Sequence, residues 1–443
     1  MTTTAIEVSG MPLAIMHIAE KTNGAEPADL RPLQLLFLAA AVFVVSAGYG
    51  ALLPLLPAWL SQQVPGSTAG EVARHVGFVS GAYTAGVLIG APIWGLVSDR
   101  LDRPRILIAG LIGYVASLLL LLLPAMGGLW AIYGLRAAAG FFVAAVVPVV
   151  PALVAAHTPK AIRARRFAWL GAASLLGFLF GPGLNAVADA LAAVVSNGAT
   201  VAALSTRIVI VLSALLGAAM MLGLALTLPT HEGTPDAAQA DTHPREPAGF
   251  AALWWLSVAV NLALSGFELG IVLQGRQHAA LSTQQVAMMF AECALVMLGV
   301  NALLFFTGLL DKTPPRHLIA AGSLLGTTGL AALALHQTNE WMYIGVSLTS
   351  AGTGLVLPVI SFLAAGASPR SLGATMGALA VAGALGQTLG SAAAGWLFGA
   401  VERLSFAWLA LPLLLTVIAL LLRPSWWRAA APLPAAAPSP AAN

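Results

Sequence analysis

Three ionisable residues lie inside long apolar runs of this 443-residue chain, and chemistry is expected around them: Arg136, Glu268 and Glu292. Glu268 completes a row Ser257, Asn261, Ser265, Glu268, spaced four, four and three residues. That is helix periodicity, so one polar stripe runs along an otherwise apolar helix. A stripe of this kind in lipid predicts a wet cavity, lined by Ser257, Asn261 and Ser265. Milder rows are Ser347, Ser350, Gly354, Ser361 and Ala384, Gln387, Ser391, of which Gln387 is expected to join the cavity. No histidine sits mid-span, so a proton relay falls to a carboxylate, with Glu268 and Glu292 both open as its carrier. Arg136 sits in Gly134-Leu135-Arg136-Ala137-Ala138-Ala139-Gly140. A cation there costs about 2.5–3.5 kcal/mol on the insertion scale, so it should face a cavity or a partner.

The elements that carry these residues follow from composition. Hydrophobic residues make up 59% of the chain and charged ones 8%, against about 25% in an ordinary soluble domain. So few charges exclude a water-soluble globular enzyme, and disorder requires the opposite composition. A bilayer core needs roughly 20 apolar helical residues to cross it. Twelve segments meet that length: 33–60, 74–97, 105–124, 129–156, 166–187, 203–228, 251–275, 284–309, 316–336, 340–366, 371–399 and 402–422. They are too long and continuous for the strands of a membrane barrel. The fold class predicted is an all-α polytopic membrane protein of twelve transmembrane helices. Residues 188–202 could lengthen the fifth or the sixth helix, and Glu402-Arg403 barely divide the last two.

Lysine and arginine set the orientation. With both ends inside, fifteen basic residues fall on the inner side, and Arg74, Arg207, Arg276 and Arg403 on the outer. The reading is a multi-pass protein of the cell inner membrane with both termini cytoplasmic. The longest polar interruption, 229–250, follows six spans. It divides the chain into a cytoplasmic tail (1–32), an N-terminal six-helix bundle (33–228), a cytoplasmic linker, a C-terminal bundle (251–423) and an Ala/Pro-rich disordered tail (424–443). Three echoes suggest internal duplication. Acid–base pairs follow the second and eighth spans (Asp99-Arg100, Asp311-Lys312). The fourth and tenth spans end in similar Ala-rich stretches before Pro159 and Pro369. The fifth and eleventh are both glycine-rich.

The loop after the second span reads Gly95-Leu96-Val97-Ser98-Asp99-Arg100-Leu101-Asp102-Arg103-Pro104-Arg105. It resembles the loop signature of the major facilitator superfamily, G-x-x-x-D-R/K-x-G-R/K-R/K. Gly95, Asp99, Arg100 and Arg103 fall on the pattern, while Asp102 stands at its second glycine and Pro104 at a basic position. A small residue at 95 would let a neighbouring helix approach closely. The resemblance implies a conformational gate, in which Asp99 faces the start of the eleventh helix near Pro369, with Asp311 in a degenerate second copy. It also implies that Arg136, followed four residues later by Gly140, assists proton transfer. The fifth span, Gly171 through Gly183, resembles the first half of the motif of twelve-span exporters in that family. Gly177 and Gly181 would form a tight packing face, with a bend at Pro182; Asn185-Ala186 replace the closing glycine pair.

Absences narrow the rest. Lys21, Lys160 and Lys312 complete no G-x-x-x-x-G-K-[ST] loop, so the energy source is expected to be a proton gradient, with no cofactor. The lone cysteine, Cys293, builds no disulfide or cysteine metal site. No nucleophile stands in a catalytic setting, so no enzyme is expected. A net charge of +3 spread along the chain argues against nucleic acid. The resemblance implies two six-helix bundles rocking about a central cavity and proton-coupled export of a small organic molecule (a drug, a siderophore or another metabolite) by a monomer. An importer or uniporter of the same fold, for a sugar or organic anion, and a non-transporting receptor are the alternatives.

Overall fold

The computed structural model describes residues 30–98, 101–123, 128–158, 160–195, 201–228, 250–277, 281–336, 338–365 and 372–422. Among them the secondary structure is helical. We number the helices α1 (Pro32–Leu52), α2 (Ala69–Ser98), α3 (Arg103–Leu120), α4 (Leu129–Val143), α5 (Lys160–Val195), α6 (Val201–Thr227), α7 (Phe250–Gln277), α8 (Thr283–Thr307), α9 (Pro315–Leu335), α10 (Asn339–Ala365), α11 (Leu372–Val401) and α12 (Ser405–Leu422). Eleven of these spans are long and apolar enough to cross a membrane. The remaining one, α4, is short and resumes as Val149–Ala156 after a turn at 144–148.

That break corrects the continuous fourth span read from the sequence. Pro148 has no N–H to give the ladder, and it disfavours helical backbone at the residue before it. The turn tightens accordingly, with Val146 N–H donating to Val143 O at 2.8 Å. The first span is also interrupted, by a 3₁₀ turn at Leu53–Leu55 before the helix Leu56–Gln63. Residues 188–195 lengthen the fifth helix. A 3₁₀ turn at Glu402–Leu404 separates the last two. Glu402 there holds φ 49°, the one positive φ on a non-glycine among the described residues.

Which helices touch reveals the repeat. In the first half α1 packs on α5 and α6, α2 on α4, α3 on α4 and α6, and α5 on α6. Six helices on, the same pairs recur: α7 on α11 and α12, α8 on α10, α9 on α10 and α12, and α11 on α12. The helix starts repeat too. Thr68 and Glu71 cap α2 reciprocally, at 2.8 and 3.3 Å, as Ser282 and Gln285 cap α8, at 2.9 and 3.2 Å. Both α3 and α9 carry proline in their first turn. The two bundles are therefore pseudo-symmetric, and they meet chiefly where α2 crosses α11 and where α5 faces α8.

Candidate functional site

Among the described residues the bundles close on each other near one face. The loop at 101–105 marks one face of the helices, called here the basic face; the ends of α2 at Ala69 and α11 at Val401 mark the far face. Near the far face α2 and α11 cross backbone on backbone. A methyl group added to Gly77 would sit 2.6 Å from Gly395 Cα and 2.8 Å from Ser391 O, and one on Gly70 would sit 3.0 Å from Gly399 O. Beyond this crossing a cavity of about 570 Å³ opens between Pro57–Ala73 and Leu273, Phe398 and Glu402. Toward the basic face nothing lies within 4 Å of such a methyl at Gly95, Gly171 or Gly377. The start of the eleventh span, expected to approach Gly95, lies outside the described residues.

Between the two ends, side chains from four helices of the first half form a cluster that reaches one residue of the second through Tyr49. Tyr49 on α1 donates its hydroxyl to Glu268 Oε2 on α7 at 3.4 Å. Its ring stacks on Tyr83 of α2, with centroids 5.4 Å apart, and lies 6.2 Å from Phe178 of α5. Arg136 of α4 sets its guanidinium carbon 4.6 Å from the centre of the Tyr83 ring, a cation–π contact. Gly140 explains how α4 comes so near, because any side chain there would collide with the Tyr83 carbonyl. Arg136 is 3% exposed and its Nε finds no partner among the described residues. Phe178 also meets Phe290 of α8 edge-on at 5.6 Å, a second contact across the halves.

The structure thus joins Arg136 and Glu268 through two tyrosines that the sequence reading passed over. The signal was available: the chain has five tyrosines, and Tyr49 and Tyr83 are among those standing in the interior of apolar spans. Glu268 is half-buried, and its partner belongs to the other bundle.

The rest of the polar stripe is held between helices. Ser257, Asn261 and Ser265 are buried, at 5%, 8% and 3% exposure. They face α11. Ser257 Oγ donates to Leu379 O at 3.2 Å, Asn261 Nδ2 to Ser257 O at 2.9 Å, and Gln387 Nε2 to Asn261 Oδ1 at 3.2 Å; Ser265 and Ser391 share a hydrogen bond at 2.6 Å. Gln387, half-buried, closes this network. Buried polar groups between helices can be satisfied by a second polar row as well as by water.

Gly177 and Gly181 lie against α1. Gly177 abuts the Phe43 carbonyl, and a methyl on Gly181 would sit 2.6 Å from Ala51 N. Pro182 lies within α5, which continues to Val195. Glu292 stands apart from the Tyr49 cluster, accepting from Ser347 Oγ of α10 at 2.5 Å. Asp99 and Arg100 lie outside the described residues, as does the start of the eleventh span around Pro369. Arg103 donates to Ala152 O at 3.4 Å, within its own half, and Arg105 pairs with Asp102 at 3.2 Å. Asp311 falls in a short helical turn, Leu309–Lys312, entered through Gly308 at φ 62°. Glycine is needed at 308 for that left-handed turn rather than for helix packing.

Paired bundles of membrane-spanning helices, closed at one face and bridged at the centre, define a multi-pass membrane transporter. The family model of the Major Facilitator Superfamily matches residues 38–335, and the chain belongs to that family. Among curated proteins it is 27% identical over 379 residues to the class G tetracycline resistance protein of Vibrio anguillarum, covering 80% of this chain and 91% of that one. With the class B tetracycline resistance protein of Escherichia coli it shares 35% identity over 135 residues, 30% of this chain and 32% of the relative. Among solved structures, the human organic anion transporter MFSD10 (TETRAN) matches with a TM-score of 0.65 at 18% identity, over 88% of this chain and all of that one. That likeness supports the fold.

Proposed function

We propose that this transporter exports a small organic molecule from a bacterial cell in exchange for protons, alternating between two conformations in the inner membrane, as a monomer with both termini cytoplasmic. The observation that carries the reading is the Tyr49–Glu268 hydrogen bond, which ties the halves together through an ionisable group. Here the far face is the outer one and the conformation opens inward. An ionised Glu268 accepts from Tyr49 through a charge-assisted bond, stronger than the bond a protonated acid would accept. Proton occupancy therefore changes how firmly α1 and α7 are held. Coupling follows if proton and cargo bind the two conformations with different affinity. Arg136, held over Tyr83, fixes the tyrosine pair. The basic loop with Gly95, Asp99, Arg100 and Arg103, and Asp311 in its second copy, would close the inner side in the opposite conformation.

The relatives named for tetracycline resistance make tetracycline the first cargo to try. In inverted membrane vesicles with an imposed proton gradient, the wild-type protein should accumulate tetracycline. Glu268→Gln should abolish gradient-driven accumulation while retaining tetracycline binding to the purified protein. Undiminished pH-dependent accumulation in that variant would remove Glu268 from the coupling. Flux out of the inverted vesicles would instead favour an importer.

A further inference from the structure

Two carboxamide side chains are sealed inside the protein with neither nitrogen nor oxygen partnered among the described residues: Asn185 of α5, 3% exposed, and Gln274 of α7, fully buried. A buried amide in that state carries its whole desolvation cost, which an apolar side chain of the same shape does not. Position separates the two. Gln274 follows Gly270 by four residues, about 40° round the axis at about 100° per residue, and a methyl on Gly270 would meet Phe406 and Phe398. It therefore shares the face that α7 turns to α11 and α12 of its own bundle. Asn185 follows Phe178 by seven residues, within about 20° of the same face and about two turns nearer the far end. Phe178 meets Tyr49 of α1 and Phe290 of α8, and α5 against α8 is one of the main places where the bundles touch. Asn185 thus stands in the seam between bundles, where the sequence departs from the glycine pair of the exporter motif.

That seam parts when the far face opens. We propose that the Asn185 carboxamide biases the transporter against closure of its outer side. Its hydrogen bonds are lost when α5 and α8 close on each other and are regained from water when they separate, so the outer-closed conformation bears a cost that the outer-open one escapes. The inference rests on the alternating-access reading above and adds to it a residue that eases the outward step. Gln274, enclosed by one bundle, carries the same cost in both conformations and exerts no such bias.

The test uses the purified full chain in lipid nanodiscs, with Cys293→Ala and spin labels at Gln62→Cys and Gln284→Cys, exposed positions at the far ends of the first and second halves. Electron–electron distances should show a short, closed population and a long, open one. Asn185→Leu, which keeps the shape and removes the amide, should raise the closed-to-open ratio about tenfold. Asn185→Gly, which removes the amide without adding bulk, should move the ratio the same way and carries the test if the leucine variant does not fold. Gln274→Met should leave the ratio unchanged. An unchanged or reversed ratio in either folded Asn185 variant would overturn the proposal; so would an equal shift from Gln274→Met. A single distance under every condition, in wild type and variants alike, would overturn the alternating-access reading and this inference with it, so the two failures are told apart.

Discussion

The seam between α1 and α5 and the seam between α7 and α11 are the same joint built twice, with different contents. In the first, Gly177 and Gly181 of α5 press on the α1 backbone at Phe43 and Gly50. In the second, Gly386 and Gly390 of α11 press on α7 at Val258 and Leu262. Each carries a serine pair across the contact, Ser46 with Ser174 at 2.9 Å and Ser265 with Ser391 at 2.6 Å. Beyond that they diverge. The first seam is lined by aromatic rings, Phe43 beside Phe180 at 5.6 Å and Tyr49 near Phe178. The second is threaded by the Ser257, Asn261 and Gln387 network. Glycine sets the distance between helices in both; the apolar or polar filling is free to vary once that distance is set. The motif resembling that of exporters and the polar stripe of α7 are thus two halves of one architectural device.

The equivalence can be broken at its glycines first. Gly177→Leu and Gly390→Leu each drive a side chain into a partner carbonyl, and overpacking of this kind costs about 1–3 kcal/mol or more. Both variants should lose most of the monodisperse protein recovered on size exclusion, and to a similar degree. A well-folded Gly390→Leu would show that the second joint does not depend on close approach.

Asn261→Ala sharpens the contrast between the fillings. It removes the interhelical bond from Gln387, worth about 0.6 kcal/mol in membrane proteins, and a bond to the Ser257 carbonyl of its own helix. The thermal midpoint should fall modestly while KM for cargo stays at the wild-type value; a shifted KM with unchanged stability would return Asn261 to the cavity. The smallest effect belongs to the serine pairs. Double-mutant cycles through Ser46→Ala with Ser174→Ala, and Ser265→Ala with Ser391→Ala, should each give a coupling of about 0.6 kcal/mol. A coupling confined to the second pair would make the first hydroxyl contact incidental.

Much of this was legible in the residues. Long apolar runs located the helices, because a helix must be near 20 residues to cross and nothing else satisfies the backbone in lipid. The row ending at Glu268 was correctly one face of a helix. What the row faces is a property of the neighbour, and the partner row, Gln387 and Ser391, could be seen in the sequence without being paired to it. Tyr49 and Tyr83 escaped notice because an aromatic residue in an apolar run carries no hydropathy signal. The break at Pro148 escaped because hydropathy does not register a missing N–H. Glu292 has no polar row like the one Glu268 completes, but which neighbour it faces is known only once the bundles are assembled.

The crossing of Gly77 with Gly395 has a consequence for how the molecule can change shape. Main chain rests on main chain there, so no rotamer can swing aside to leave a partial leak. The barrier at that face breaks only when two whole rods slide apart, and it reseals only when they return to the same register. Such a lock has no half-open setting, which suits a transporter that must never present both doors ajar across a membrane.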